Sequence, residues 1–164
     1  MVQLFKFVPS HLPNTNAFLE KLRSVRVDED GLVFESFDVT ALYTNVSNSE
    51  ALQAVHEILL EHQTDLNLYG LSVGQTMSLL SECLMCNVFK WAGQYFKQIR
   101  GLAMGQRLAP VLAVVFMSKI EAPLLLRHPI LYCRYIDDCF VACPTQSELD
   151  TCSDEGDNAE TLAE

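Results

Sequence analysis

Asp38 closes a short, mostly apolar run, and far downstream Asp137 and Asp138 stand side by side between two further apolar runs. Carboxylates drawn from separate segments are what two-metal phosphoryl transfer requires. Two divalent ions about 3.5–4 Å apart must be held while water and substrate phosphates complete their shells. Strand ends and tight hairpin tips are rigid places to mount such ligands. Singly, each carboxylate has an ordinary explanation: an Asp at a strand end is most often a turn former or helix cap, and paired Asp at a hairpin tip are usually just solvated. A third segment, residues 98–105 running on to Pro110, carries Gly101 and Gly105. Taken alone, these glycines could simply be the turn ahead of a helix.

The elements that must position these groups follow from period and punctuation. Pro9 and Pro13 make residues 1–16 loop-rich. Residues 17–27 predict a short helix with Phe18, Leu19 and Leu22 on one side, and Gly31 turns the chain into a strand over 32–38. Asn48 or Ser49 is placed to cap a helix over 50–63, with Leu52, Val55, Leu59 and Leu60 as its apolar stripe. Ser72 opens another helix, turning Met77, Leu80, Leu84 and Met85 inward. Residues 88–91 and 95–99 predict a hairpin about Ala92-Gly93. The loop 100–106 leads into an apolar helix over 108–125, and 131–136 with 139–143 predict a second hairpin, tipped by Asp137-Asp138. From Thr151 onward there is no periodicity, so an acidic, disordered tail is expected over 150–164 after a single domain over 1–149. Antiparallel strands mixed with helices predict an α+β fold, a small antiparallel sheet packed on helices.

Three segments taken in order are more specific than any one of them. Ser36 to Val46 reads S-F-D-V-T-A-L-Y-T-N-V, residues 101–105 read G-L-A-M-G, and residues 134–138 read R-Y-I-D-D. This trio resembles the A, B and C motifs of reverse transcriptases and is most similar to those of Penelope-like retroelements, over residues 5–149. The resemblance implies the palm of a right-hand polymerase, here without most of the fingers and thumb. It also implies RNA-directed DNA synthesis, in which a primer 3′-hydroxyl is extended with dNTPs on an RNA or DNA template with two Mg2+ (or Mn2+) ions. By the same resemblance Asp38 would ligate both ions with help from the backbone carbonyl of Val39. Asp137 would be the second main ligand and Asp138 its acidic neighbour. Tyr43 would take the place of the bulky residue that excludes a ribose 2′-hydroxyl, and Gln98, Gly101 and Gly105 would form the loop under the template-paired nucleotide. Read from the residues alone, Tyr43 is a half-buried aromatic with a hydrogen-bonded hydroxyl. The chain departs from the family pattern after Gly105, where Gln106, Arg107 and Ala109-Pro110 replace a small hydroxyl residue and Ser-Pro.

Composition bounds these readings. The 164 residues are 49% hydrophobic and 20% charged, the profile of a globular protein. The net charge is −10, and removing the six acidic residues from Asp150 onward still leaves −4. Free-standing nucleic-acid binders are usually basic, so the positive surface for a template must come from outside this chain. The same acidity motivates an alternative of another class: a catalytically inactive relic, or an interaction module on a palm scaffold. A different two-metal enzyme on a palm-like fold, such as a cyclase, would leave Tyr43 and the Gly101 to Gly105 loop unexplained. Cys83 and Cys86 with Cys139 and Cys143 could form a zinc set, but their apolar surroundings favour reduced core thiols. His56 and His62 are expected on the exposed side of their helix and His128 in a loop; with His11 they form no ligand spacing. The longest apolar run, 108–117, contains Pro110 and is about half a membrane span. With no signal-peptide pattern at the start, the expectation is an intracellular protein without a membrane partner.

Overall fold

The computed structural model describes residues 1–26 and 31–152. It divides into two compact units, one built from Met1–Phe7 with Tyr43–Phe116 and the other from Val8–Leu42 with Met117–Glu164.

The first unit opens on a 3-10 turn, Val2–Phe7, where Pro9 and Pro13 predicted only loop. Leu4 is buried, and the side chains of Gln3 and Lys6 bind the backbone of Asn67 and Asp65. Two helices follow. The first lies over Asn48–Glu61 and is capped by Ser47, one residue earlier than expected, whose hydroxyl accepts from the Glu50 amide at 3.2 Å and donates to the Glu50 carboxylate at 2.6 Å. Its buried stripe runs through Ala51, Ala54, Val55 and Leu59, and Leu60 is exposed rather than part of it. At its C-terminal end His62 is half-buried, not exposed, with its ring stacked on Phe7 at 3.7 Å between centroids.

The second helix, Val73–Met85, starts with a full capping box between Ser72 and Gln75 and packs on the first. It buries Val73, Thr76, Leu80 and Leu84, but Met85 is exposed. Cys83 and Cys86 are exposed as well, contrary to the core role expected of them. Each residue turns about 100° around the axis, so neighbours of a buried Leu84 need not share its face. The hairpin that follows pairs Val88–Trp91 with Gln94–Lys97 through Ala92 and Gly93, both at positive φ (47° and 81°). That is the type I′ connection that suits the twist of paired strands. All eight strand residues are exposed.

The second unit is built on a three-stranded antiparallel sheet. We number its strands β1 (Val33–Asp38), β2 (Leu131–Tyr135) and β3 (Asp138–Cys143); β3 lies in the centre, flanked by the other two. One face packs Tyr132, Cys139, Val141 and Cys143 against Leu124, Leu149 and Cys152. The other packs Leu131, Cys133 and Ala142 against Leu12 and the apolar side of the helix Thr15–Ser24, which Asn14 caps. This helix was expected over 17–27; it starts two residues earlier and ends at Ser24, where Val25 takes up extended backbone, and Val27 lies outside the described residues. The apolar helix expected over 108–125 is broken. Ala109–Ile120 runs out of the first unit into the second, and a short helix, Ala122–Leu125, restarts after Glu121. Pro123 lacks the amide that an unbroken helix would use and is well placed at a helix start.

Residues 146–152 are helical, and Leu149 and Cys152 are buried. The boundary expected at residue 150 therefore falls inside a helix; the rest of the expected acidic tail, 153–164, lies outside the described residues. The Cys143 and Cys152 sulfurs stand 3.9 Å apart. Among the described residues no helix is long and apolar enough to cross a membrane. The α+β class expected from the order of elements is the one observed.

Candidate functional site

Strand register brings the carboxylates together. Asp38 is the last residue of β1 and Asp138 the first of β3, and the two are direct partners; Tyr135, at the end of β2, faces Asp138 from the other side. Opposed residues project from the same face with Cβ atoms about 4.5–5.5 Å apart. Asp38, Asp138 and Tyr135 therefore leave the sheet together, above Ser36, Phe140 and Cys133 on the same face. Beside Asp138 opens a cavity of about 580 Å³ whose lining includes Leu12, Phe18, Ser36, Tyr135 and Phe140. Like charges placed directly opposite repel, so this pair favours a cation between them.

The hairpin tip is Ile136-Asp137 rather than the aspartate pair, because Asp138 already belongs to the ladder. Ile136 has φ +59° at the first central position of a two-residue turn, where a type II′ connection calls for glycine. For a β-branched residue this is strained backbone, costing about 1–3 kcal/mol. Two contacts hold the turn. The Val39 amide donates to the Asp137 carbonyl at 3.0 Å, tying the residue after Asp38 to the tip. Nη1 of Arg134 donates to the Ile136 carbonyl at 2.6 Å.

Arg134 belongs to a polar group on the opposite face of the sheet. Its side chain is completely buried, and Glu121 is nearly so, at 3% exposed. Nε of Arg134 donates to Oε1 of Glu121, which also accepts from the Tyr132 hydroxyl at 3.0 Å, while Oε2 accepts from Ser10 Oγ at 2.5 Å. Burial, and then the Glu121 charge, raise the Tyr132 phenol far above its usual range, so it stays a donor. Residues 10–12 run beside β2, with the Arg134 amide bound to the Ser10 carbonyl and the Leu12 amide to the Arg134 carbonyl, each at 2.8 Å. Arg134 opens the R-Y-I-D-D motif without being given a role there, and Glu121 falls in no motif. The group's trace in the sequence is a lone acid between apolar helices and a lone base inside an apolar strand, residue types rarely buried unless paired.

The other expected site residues belong to the first unit. Gly101 has φ +79°, and a Cβ there would lie 2.8 Å from the Tyr43 carbonyl oxygen and 3.0 Å from Thr44 Cα. The next amide, of Leu102, donates to that same Tyr43 carbonyl at 2.6 Å. The Gln98 side chain amide donates to the carbonyls of Arg100 and Gly101 at 2.9 and 3.1 Å. The loop is thus seated on the backbone of Tyr43, whose side chain is half-buried. A Cβ on Gly105 would meet nothing within 4 Å, so packing does not demand glycine there. Gln106 donates to the Cys83 carbonyl at 3.1 Å, a link that a small hydroxyl residue would be too short to make. Asp38, Val39, Asp137 and Asp138 are therefore together in one unit, and Tyr43, Gln98, Gly101 and Gly105 in the other.

Among the described residues no three His, Cys, Asp or Glu side chains close around one point. The donor set is an opposed pair of carboxylates, Asp38 and Asp138, with Asp137 adjacent on the turn. Oxygen donors in that number suit magnesium, which uses one or two carboxylates and keeps water and phosphate in its shell.

No curated protein sequence matches the chain. Several solved telomerases match its fold. That of Candida tropicalis without its C-terminal domain superposes with a TM-score of 0.70 at 16% identity, over 89% of this chain and 32% of the telomerase. The same enzyme with a TWJ fragment of telomeric RNA gives 0.71 at 16%, over 94% and 29%. Candida albicans telomerase with such a fragment gives 0.69 at 15%, over 93% and 31%. At these identities the likeness is one of fold, that of the polymerase palm region, and this chain spans about a third of each telomerase. The family model for reverse transcriptase (RNA-dependent DNA polymerase) matches residues 2–159, nearly the whole sequence, and the chain belongs to that family.

Proposed function

We propose that this domain is the catalytic palm of an RNA-directed DNA polymerase of the Penelope-like kind, extending a primer 3′-hydroxyl with dNTPs on an RNA or DNA template. The observation that carries the reading is the register that sets Asp38 opposite Asp138 with Asp137 on the adjoining turn. Asp38, with the Val39 carbonyl, and Asp137 would hold two Mg2+ or Mn2+ ions, and Asp138 would add negative charge beside them. When bound, such ions supply Lewis acidity and neutralise charge on the reacting phosphate oxygens. Tyr43, seated against the Gly101 loop, would exclude the ribose 2′-hydroxyl. Gln98 holds that loop's carbonyls in place, and the open space at Gly105 leaves room for a nucleotide to approach the backbone.

The test is Mg2+-dependent primer extension by the polypeptide that carries this domain. Asp38→Asn, and Asp137→Asn combined with Asp138→Asn, should each reduce the rate by at least about 10³-fold, some 4 kcal/mol of transition-state stabilisation. Extension that survives these substitutions sinks the assignment of the carboxylates. The charge of −10 favours a second reading, an inactive relic or an interaction module. It requires that neither nucleotide nor primer–template bind, whatever metal is supplied.

A further inference from the structure

The turn that carries Asp137 is conformationally unfavourable by itself, since Ile136 sits at φ +59°. Two interactions oppose its relaxation, and one of them is the Arg134 Nη1 bond to the Ile136 carbonyl at 2.6 Å. That carbonyl belongs to the peptide group that begins Asp137. Fixing it fixes the plane from which the Asp137 side chain departs. Arg134 itself is completely buried and cannot be there as a solvated cation. Its charge is met by Glu121, whose oxygens also accept hydrogen bonds from Ser10 and Tyr132. The acid is thus anchored by three donors from two separate segments, Ser10 on one and Tyr132 with Arg134 on β2, and the planar guanidinium, gripped at Nε, has one settled direction for Nη1.

We propose that Arg134, aimed by Glu121, is a positioning residue for the catalytic turn: it holds Ile136 in its strained conformation and so sets the Asp137 carboxylate beside the opposed pair of Asp38 and Asp138. The proposal deepens the two-metal reading and rests on it. Arg134 leaves the sheet on the face opposite Asp38 and Asp138. The strain at Ile136 gives it a task that a merely space-filling buried ion pair would not have.

The test is Arg134→Lys in the full polypeptide. Lysine keeps the charge beside Glu121 but lacks the second arm that reaches the Ile136 carbonyl. Three quantities are read: Mn2+ affinity by electron paramagnetic resonance, kcat and KM for dNTP in primer extension, and hydrogen exchange at the Val39 amide, which donates to Asp137. Supporting partners outside a metal's own ligands are typically worth about 10–100-fold in affinity or activity. The expected result is a loss of that size in kcat and in Mn2+ affinity, with KM for dNTP within about threefold of the original by the same yardstick. Val39 should exchange faster while the β2–β3 ladder stays protected. Adding Ile136→Gly, which removes the strain, should restore much of both losses.

Unchanged Mn2+ affinity and kcat in Arg134→Lys overturn the proposal. So does loss of protection throughout β2 and β3, which would make the pair simply structural. If the unsubstituted protein shows no Mn2+ binding that Asp137→Asn weakens, the two-metal reading itself fails and the proposal falls with it. That result is distinct, because it is seen before Arg134 is touched.

Discussion

At Gly101 the atoms that a side chain would strike, the Tyr43 carbonyl oxygen and Thr44 Cα, are backbone and cannot swing aside, and φ is +79°. Gly101→Ala should therefore cost about 2–4 kcal/mol, the sum of a left-handed penalty and a backbone shift. Gly105→Ala, with open space at its Cβ, should lie within about 0.5 kcal/mol of the original protein. Urea midpoints at matched slope measure both, and equal shifts for the two glycines would refute the distinction. A sequence shows two glycines four positions apart without revealing that one serves the fold and the other leaves a surface open. The opposed carboxylates carry a further prediction. Without divalent ions Asp138→Asn should stabilise the fold by about 0.5 kcal/mol, by relieving repulsion from Asp38 across the strands. Millimolar Mg2+ should erase that gain, as thermal midpoints with and without the ion would show. Asp38 was legible as a strand end because a short apolar run closes on it, and the aspartate pair was placed in the right hairpin but one residue off its tip. Glu121 and Arg134 were not legible, since a lone charge in an apolar run has no partner until the packing is known.

Among the elements, β3 is the central strand of its sheet, and buried thiols lie on it and on the neighbouring β2. Burial pushes the Cys143 thiol up to about 12, and raises that of Cys133 on β2, from an ordinary value of 9.0. The sign is fixed by which state holds the proton. Above pH 9 the unfolded chain releases these protons and the folded chain keeps them, so the Cys143 contribution is complete below pH 9 and fades as pH rises toward 12, with Cys133 acting in the same direction. The thermal midpoint should fall on that alkaline limb, and Cys143→Ala should flatten the fall; an unchanged slope would remove Cys143 as its cause. Helices with a clear period and a capping serine were read correctly to within a few residues, as with Ser72 and the helix it caps. The misreadings came where two rules compete. Apolar continuity over 108–125 argued for one helix, while Glu121 and Pro123 divide it. Adjacent acids argued for a tip, while the ladder claims Asp138.

For the whole molecule, the class of fold could be read from the order of strands and helices, because that order depends on many residues at once and tolerates errors at each boundary. The division into two compact units could not, since it depends on contacts between distant segments such as Val2–Phe7 and the backbone near Asp65. Large apolar side chains remain exposed on the Val88–Trp91 and Gln94–Lys97 hairpin: Trp91 is 70% exposed and Tyr95 75%, with Phe89 and Phe96 also open. Exposed apolar clusters of this kind favour association, against which the net charge of −10 acts as repulsion. The chain should therefore self-associate increasingly with salt, as screening removes the repulsion. Light scattering from low to high ionic strength measures this, and a monodisperse monomer at high concentration and high salt would contradict it.

The pairing of Asp38 with Asp138 has a consequence for how such a gene can change. Side chains alternate along β3 with a period of two, so gaining or losing one codon between residues 138 and 143 would turn Asp138 toward the interior and bring a core residue out beside Asp38. Substitutions along the strand can accumulate one at a time, each judged on its own packing. Changes of length cannot, because a single one exchanges the two faces at once. In a library of variants, in-frame single-codon insertions and deletions across this strand should be purged as thoroughly as loss of an aspartate itself, while the same lesions in the exposed hairpin turn at Ala92-Gly93 are tolerated far more often.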